Sequence, residues 1–223
     1  MSGPQALTRG RTRLALHPLR MGSAPHLLRL HALYRGATRL AAQPLEWPGA
    51  VFGLDFSGHA DSSWVTGGAY TPELLAGDGD AALARIGPAY LAGEGIGAYV
   101  ALLLAGARPD LVPAALLLPG AGLGGGGPVP DFSGRVEREW AEQASRPAAR
   151  GTAGEADPLV SALEYDARPV DYAAEFAAHA RGLVLAEDGG PRPAWWEAVA
   201  RSARARRVAL GEAWNALRRA AGP

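Results

Sequence analysis

Between two apolar runs the chain reads Gly93-Glu94-Gly95-Ile96-Gly97. Glycines at this spacing let a backbone turn sharply, and a helical pattern follows from about Gly97 to Gly106 or Pro109. The first N–H groups of a helix have no partner within it. Such a turn can therefore hold negative charge on a carboxylate, a phosphate or a developing oxyanion. Side chains able to move a proton stand at three places: Glu94 in the turn itself, His31 in the apolar run His26 to Leu33, and Glu187 or Asp188 after the run Gly182 to Ala186. His31 is the best-suited acid/base candidate, because imidazole titrates near neutrality. Each has a structural alternative: His31 can brace its loop, and Glu94 can be salt-bridged or solvated. Ser62 and Ser63 have no evident base and, with His59 and Asp61, read as turn residues. The chain has no cysteine, which excludes disulfides, thiolate catalysis and zinc–thiolate sites. Neither a metal nor a cofactor is expected.

One pattern points elsewhere. Gly93-x-Gly95-x-x-Ala98 fits a dinucleotide-binding turn between strand and helix. That fold also needs an acidic residue at the end of the next strand, to bind the ribose. The next strand ends Leu118-Pro119-Gly120, and the glycine turn comes after several strands. The dinucleotide reading fails on both counts.

Apolar patterning gives the elements that must position these residues. Strands are expected at Arg11 to Leu19, in the run His26 to Leu33, and at Ala50 to Phe56, Ala89 to Gly93, Val112 to Leu118, Gly182 to Ala186 and Arg207 to Leu210. Helices are expected at Arg39 to Trp47, from Thr71 to Gly87, after Gly97, at Ala194 to Ala203 and at Glu212 to Ala221. Thr71 can cap its helix and Pro72 suits the first helical position. Strands alternating with helices at this spacing indicate one α/β domain, with a mostly parallel sheet covered on both faces. Gly122 to Pro128 reads as a mobile loop. Arg135 to His179 is helical in pattern but broken by Pro147, Pro158 and Pro169. Trp195-Trp196 read as helix packing and Arg201 to Arg207 as a solvated helix face. With a formal net charge of zero, no global field draws in nucleic acid or an anionic membrane. The apolar run Ala98 to Ala107 is too short to span a bilayer, and no secretory leader is evident. A cytoplasmic, single-domain protein with a small-molecule partner is expected; the oligomeric state stays open, a homodimer being one option.

Several segments in order resemble the α/β-hydrolase superfamily. Asp55-Phe56-Ser57-Gly58-His59-Ala60-Asp61-Ser62 is similar to its D-x-x-G-x-G-x-S pattern, with Ala60 for the second glycine. His31-Ala32-Leu33 resembles its oxyanion loop, with alanine for glycine. Tyr70 to Leu75 resembles the start of the next helix, Ala92 to Gly97 the nucleophile elbow, and Ala105 to Pro109 the end of the helix behind it. The resemblance runs from about Arg11 to Leu123; beyond that only the order of elements matches.

The resemblance implies a single α/β-hydrolase domain over 1–223, with a reduced cap inserted at 124–180. It places the nucleophile at Gly95, which has no side chain, the acid at Glu187 or Asp188, and a histidine after the last strand, where Gly211-Glu212 stand. It also implies an oxyanion hole formed by the Ile96 N–H and an N–H of the loop at Ala32 and Leu33. With no side chain at position 95 this pocket is expected to be roomier, so a ligand carboxylate, phosphate or enolate can occupy it. Three functions follow. One is non-hydrolytic chemistry (lyase, isomerase or cyclase) using His31, Glu94 or Asp188. Another is a catalytically dead protein that binds a ligand or partner. The third is hydrolysis by activated water.

Overall fold

In the computed structural model, residues 3–41, 46–66, 69–124, 156–164 and 170–222 are described. Eight strands form one sheet: β1 (Gln5–Arg9), β2 (Thr12–Arg20), β3 (His26–Leu30), β4 (Val51–Asp55), β5 (Ala89–Glu94), β6 (Ala115–Leu118), β7 (Leu183–Glu187) and β8 (Ala205–Ala209). Their order is β1-β2-β4-β3-β5-β6-β7-β8. β2 is antiparallel to both its neighbours and all other pairings are parallel. β6 is buried at every position, as a central parallel strand must be when helices cover both faces. The edge strand β8 carries exposed Arg206 and Arg207, charges that discourage pairing with another chain.

Six helices are described: α1 (Ala37–Ala41), α2 (Pro72–Ile86), α3 (Ile96–Ala107), α4 (Val170–His179), α5 (Ala194–Ala200) and α6 (Ala213–Ala220). The larger core packs Leu83 of α2, Val100 and Leu104 of α3, Ala177 of α4 and Val199 of α5 against Leu30, Leu91 and Leu117 of the sheet. On the other face, Ala213 and Leu217 of α6 pack against Leu27, Leu116 and Val184. The Thr71 hydroxyl accepts from the Leu74 N–H at 3.2 Å and Pro72 opens α2, as its sequence requires. Among the described residues, no helix is long and apolar enough to cross a membrane.

Some elements differ from the expectations. Gln5–Arg9 pairs with β2 through a turn at Gly10, φ +59°; its strand is too short and too polar to stand out as an apolar run. The helix expected at Arg39 to Trp47 lies at Ala37–Ala41, with 42–45 outside the described residues. Within the expected cap, Pro158–Glu164 forms a 3-10 helix, and α4 contributes Ala173 and Ala177 to the main core. Residues 125–155 and 165–169, including most of the Gly122 to Pro128 stretch, lie outside the described residues.

A buried polar hub joins the antiparallel and parallel parts of the sheet. Asp55, at the end of β4, lies 2.8 Å from His17 Nε2 and accepts the N–H groups of Ala37 at 2.6 Å and Asp61 at 3.1 Å. The hydrogen bond to Asp55 raises the His17 pKa above its ordinary 6.5. Burial works to raise the Asp55 pKa, but bonds from His17 and Ala37 outweigh it and leave it lowered. The stability contributed by His17 is complete below pH 6.5 and is lost as pH rises through its raised folded pKa. That of Asp55 is present above its ordinary 3.8 and is lost as pH falls through its depressed value. The urea midpoint of the parent protein should therefore fall from neutral to alkaline pH, a slope that His17→Gln flattens. Removing one partner of a buried pair costs about 3–5 kcal/mol, so His17→Ala should be destabilised on this scale at pH 7.

Candidate functional site

The candidate site residues lie at the carboxyl edge of the parallel strands, in loops, at strand ends or, for Ile96, at the start of α3, and in open α/β sheets ligands bind along this edge. The turn from β5 into α3 is tight. A Cβ on Gly93 would lie 2.0 Å from the Gly97 carbonyl oxygen, and one on Gly97 would lie 2.4 Å from that of Leu30. Gly95 between them has φ 56° and ψ −116°. So far the geometry is that of a strand-to-helix elbow.

The space above Gly95 is filled by the chain itself. A Cβ there would lie 2.0 Å from the carbonyl oxygen of Ala121 and 2.6 Å from the carbonyl carbon of Gly120. That same Ala121 oxygen accepts the Ile96 N–H at 3.0 Å and the Leu33 N–H at 3.1 Å. These are the two groups expected to bind a ligand oxygen. The expectation of a roomier, open pocket is corrected: a backbone carbonyl from the loop after β6 occupies it, and Gly95 is bare because the carbonyl needs the space. The loop is tied down beyond this point. Leu123, buried and left-handed at φ +49°, donates its N–H to Leu163 O at 2.6 Å and accepts from the Trp195 indole at 3.2 Å. Ala32 is buried beside Leu33, and its carbonyl serves His31.

His31 is fully buried. Its Nδ1–H donates to Ala32 O at 2.8 Å and its Nε2 accepts the Phe56 N–H at 3.1 Å. Burial lowers its pKa, so the ring is neutral and both nitrogens are spent on backbone. It braces two loops and is not poised as an acid/base group. Glu94 lies 3.7 Å from the guanidinium of Arg29, itself buried, bonded to Leu40 O at 2.6 Å and 5.3 Å from the Trp214 ring. Burial lowers the Arg29 pKa and Glu94 works against that. Along β5, Glu94 shares the parity of Ala92, which packs with α6 on the face away from α3, so Glu94 is directed off the elbow.

Asp188 accepts from the Gly190 N–H at 2.9 Å and from Arg192; its pKa is lowered by the Gly190 bond first and Arg192 second. Glu187 is paired with Arg207 at 2.6 Å. Leu210–Glu212 after β8 forms a short 3-10 turn with Leu210 exposed. The candidates thus share one edge of the sheet, but none of the proton-transfer groups is brought to Gly95.

Other polar residues of the β4 loop fasten it to its surroundings, while Ser57 Oγ and His59 Nε2 are buried without a hydrogen-bond partner. Ser62 Oγ donates to Asp55 O at 2.6 Å and accepts the Ala15 N–H at 2.9 Å, and Ser63 Oγ donates to Arg13 O at 3.1 Å, fastening the loop to β4 and β2. His59 donates through Nδ1 to Ser57 O at 3.1 Å, and burial lowers its pKa to about 3. His17, Asp55 and Asp61 offer atoms within 4.8 Å of one another. The direct 2.8 Å bond between His17 and Asp55 joins two of them as a buried ion pair.

No protein-family model and no curated protein matches the chain. Solved structures do. A thermophilic esterase from Thermogutta terrifontis superposes with TM-score 0.67 at 17% identity, covering 98% of this chain and 96% of that one. The thioesterase domain from the curacin biosynthetic pathway gives 0.65 at 16%, covering 98% and 96%. The bottromycin epimerase BotH, solved with bottromycin A2, gives 0.65 at 20%, covering 99% of both chains. The chain has the α/β-hydrolase fold, as its motif order implied.

Ala121 was not among the sequence candidates; its only local sign is a glycine on either side. The clash at Gly95 yields a direct test. Gly95→Ser should be destabilised by at least about 2 kcal/mol in urea unfolding, from overpacking plus left-handed backbone strain, and should gain no esterase activity. A stable Gly95→Ser protein that turns over p-nitrophenyl acetate would contradict this geometry.

Proposed function

We propose that this protein is a non-hydrolytic binding protein on the α/β-hydrolase fold, its oxyanion hole held closed by its own backbone. The observation that carries this is the Ala121 carbonyl oxygen on the Ile96 and Leu33 N–H groups, 2.0 Å from where a Cβ of residue 95 would stand. Nucleophilic hydrolysis needs a side-chain nucleophile with a base in hydrogen-bond reach. Gly95 supplies no nucleophile, and no histidine follows His179 in the sequence.

The two catalytic alternatives need a proton-transfer group at the elbow. Hydrolysis by activated water needs a base there, and so does epimerisation, the reaction for which BotH is named. His31 is spent on backbone, Glu94 faces Arg29, and Asp188 is folded onto its own turn. These commitments favour binding over turnover. A small carboxylate or carbonyl ligand can use the oxyanion hole only by displacing Ala121, and Gly120 and Gly122 on either side give that segment the backbone freedom to move.

A fluorophosphonate probe should leave the protein unlabelled, and p-nitrophenyl esters of short and medium chain length should hydrolyse at the buffer rate. Labelling would establish a nucleophile and overturn the proposal. Ester turnover without labelling would also overturn it, in favour of activated water.

A further inference from the structure

The turn after β7 carries an ion pair in which the outer member, Asp188, has a side chain 39% exposed while its partner Arg192 is only 6% exposed. The cation is the buried one. Its guanidinium carbon lies 5.3 Å from the centre of the Trp196 ring, one helical turn further along the chain. Two donors of this stacked pair, Arg192 Nε and Trp196 Nε1, are buried without a hydrogen-bond partner.

A buried donor left unpaired costs about 1–3 kcal/mol, so two in one stacked pair are unusual for a purely structural contact. Both groups are donors only, so what they lack is an acceptor. A guanidinium in a poorly solvated place favours a charged acceptor, because charge-assisted bonds are roughly twice as strong as neutral ones. Asp188 occupies the Nη2 end of the guanidinium and leaves Nε unused. Trp195, 5.4 Å from Trp196, and Tyr99, 4.9 Å from Trp195, pack beside the pair in the core.

We infer that Arg192 and Trp196 form a binding site for the carboxylate of a small organic acid. The carboxylate accepts from Arg192 Nε and Trp196 Nε1. The site is separate from the elbow. Its failure would leave the absence of ester hydrolysis intact, and a hydrolytic elbow would leave this site untouched.

The test is a titration of 15N-labelled protein with sodium benzoate, following the indole N–H of Trp196 and the Nε–H of Arg192 by NMR. The expected result is a saturable downfield shift of both signals together, with the indoles of Trp47 and Trp214 unmoved. Arg192→Lys keeps the charge but lacks the Nε–H fork, and should weaken binding by at least about tenfold; Trp196→Phe keeps the packing but lacks the donor and should weaken it several-fold. A shift equally produced by benzyl alcohol would mean an apolar cavity without carboxylate recognition and would overturn the inference. So would the absence of saturation, or undiminished benzoate binding in both variants.

Discussion

One oxygen atom receives two N–H groups from separate parts of this chain. The Ala121 carbonyl bonds Ile96, at the start of α3, and Leu33, in the loop after β3. The N-terminus of α3 carries the positive end of the helix dipole and unsatisfied donors, so an acceptor at this point is strongly favoured. In an active hydrolase the substrate's oxygen meets that demand during turnover. Here a peptide group meets it, and the surroundings follow from it. Gly95 is bare because a Cβ would strike the carbonyl. Gly122 is bare at φ +105°, with its Cβ position 2.7 Å from the Ile96 side chain. Leu123 accepts a left-handed backbone so that its side chain reaches the core and its polar groups reach Leu163 and Trp195.

The groups that could have done chemistry hold the structure together. His31 pins the loop that supplies the Leu33 N–H, by joining it to the start of the β4 loop at Phe56. Asp55 fixes that second loop through Asp61 and the start of α1 through Ala37. Asp78, buried in α2 with its pKa raised by that burial, takes the Ser57 N–H and the Arg9 guanidinium. His31, Asp55 and Asp78 are thus committed to backbone or to a counter-ion, which stiffens this edge. The cost is that, among the described residues, His31, Glu94 and Asp188 are all engaged elsewhere.

The fold was legible because its signals are local and periodic. Gly93, Gly95 and Gly97 marked the turn, Thr71-Pro72 marked the start of α2, and alternating strands and helices marked a parallel sheet. The Arg192–Asp188 pair, four residues apart, was also within reach of a sequence argument. The partner of Glu94 was not: Arg29 is far away in the chain, and only the β3–β5 register, which sets Arg29 against Ala92, brings it near. The fate of the oxyanion hole was least legible. A carbonyl acts through its backbone position, so the residue type at 121 carries no sign of its role. A missing serine side chain suggests an empty space as readily as a filled one. The two differ only in where the loop after β6 runs.

Through-hydrogen-bond NMR couplings report that path atom to atom. In 15N,13C-labelled protein, the amide nitrogens of Ile96 and Leu33 should both correlate with the carbonyl carbon of Ala121. The absence of both correlations, with both amides exchanging as fast as exposed loop amides, would mean that the hole is open and would contradict the account.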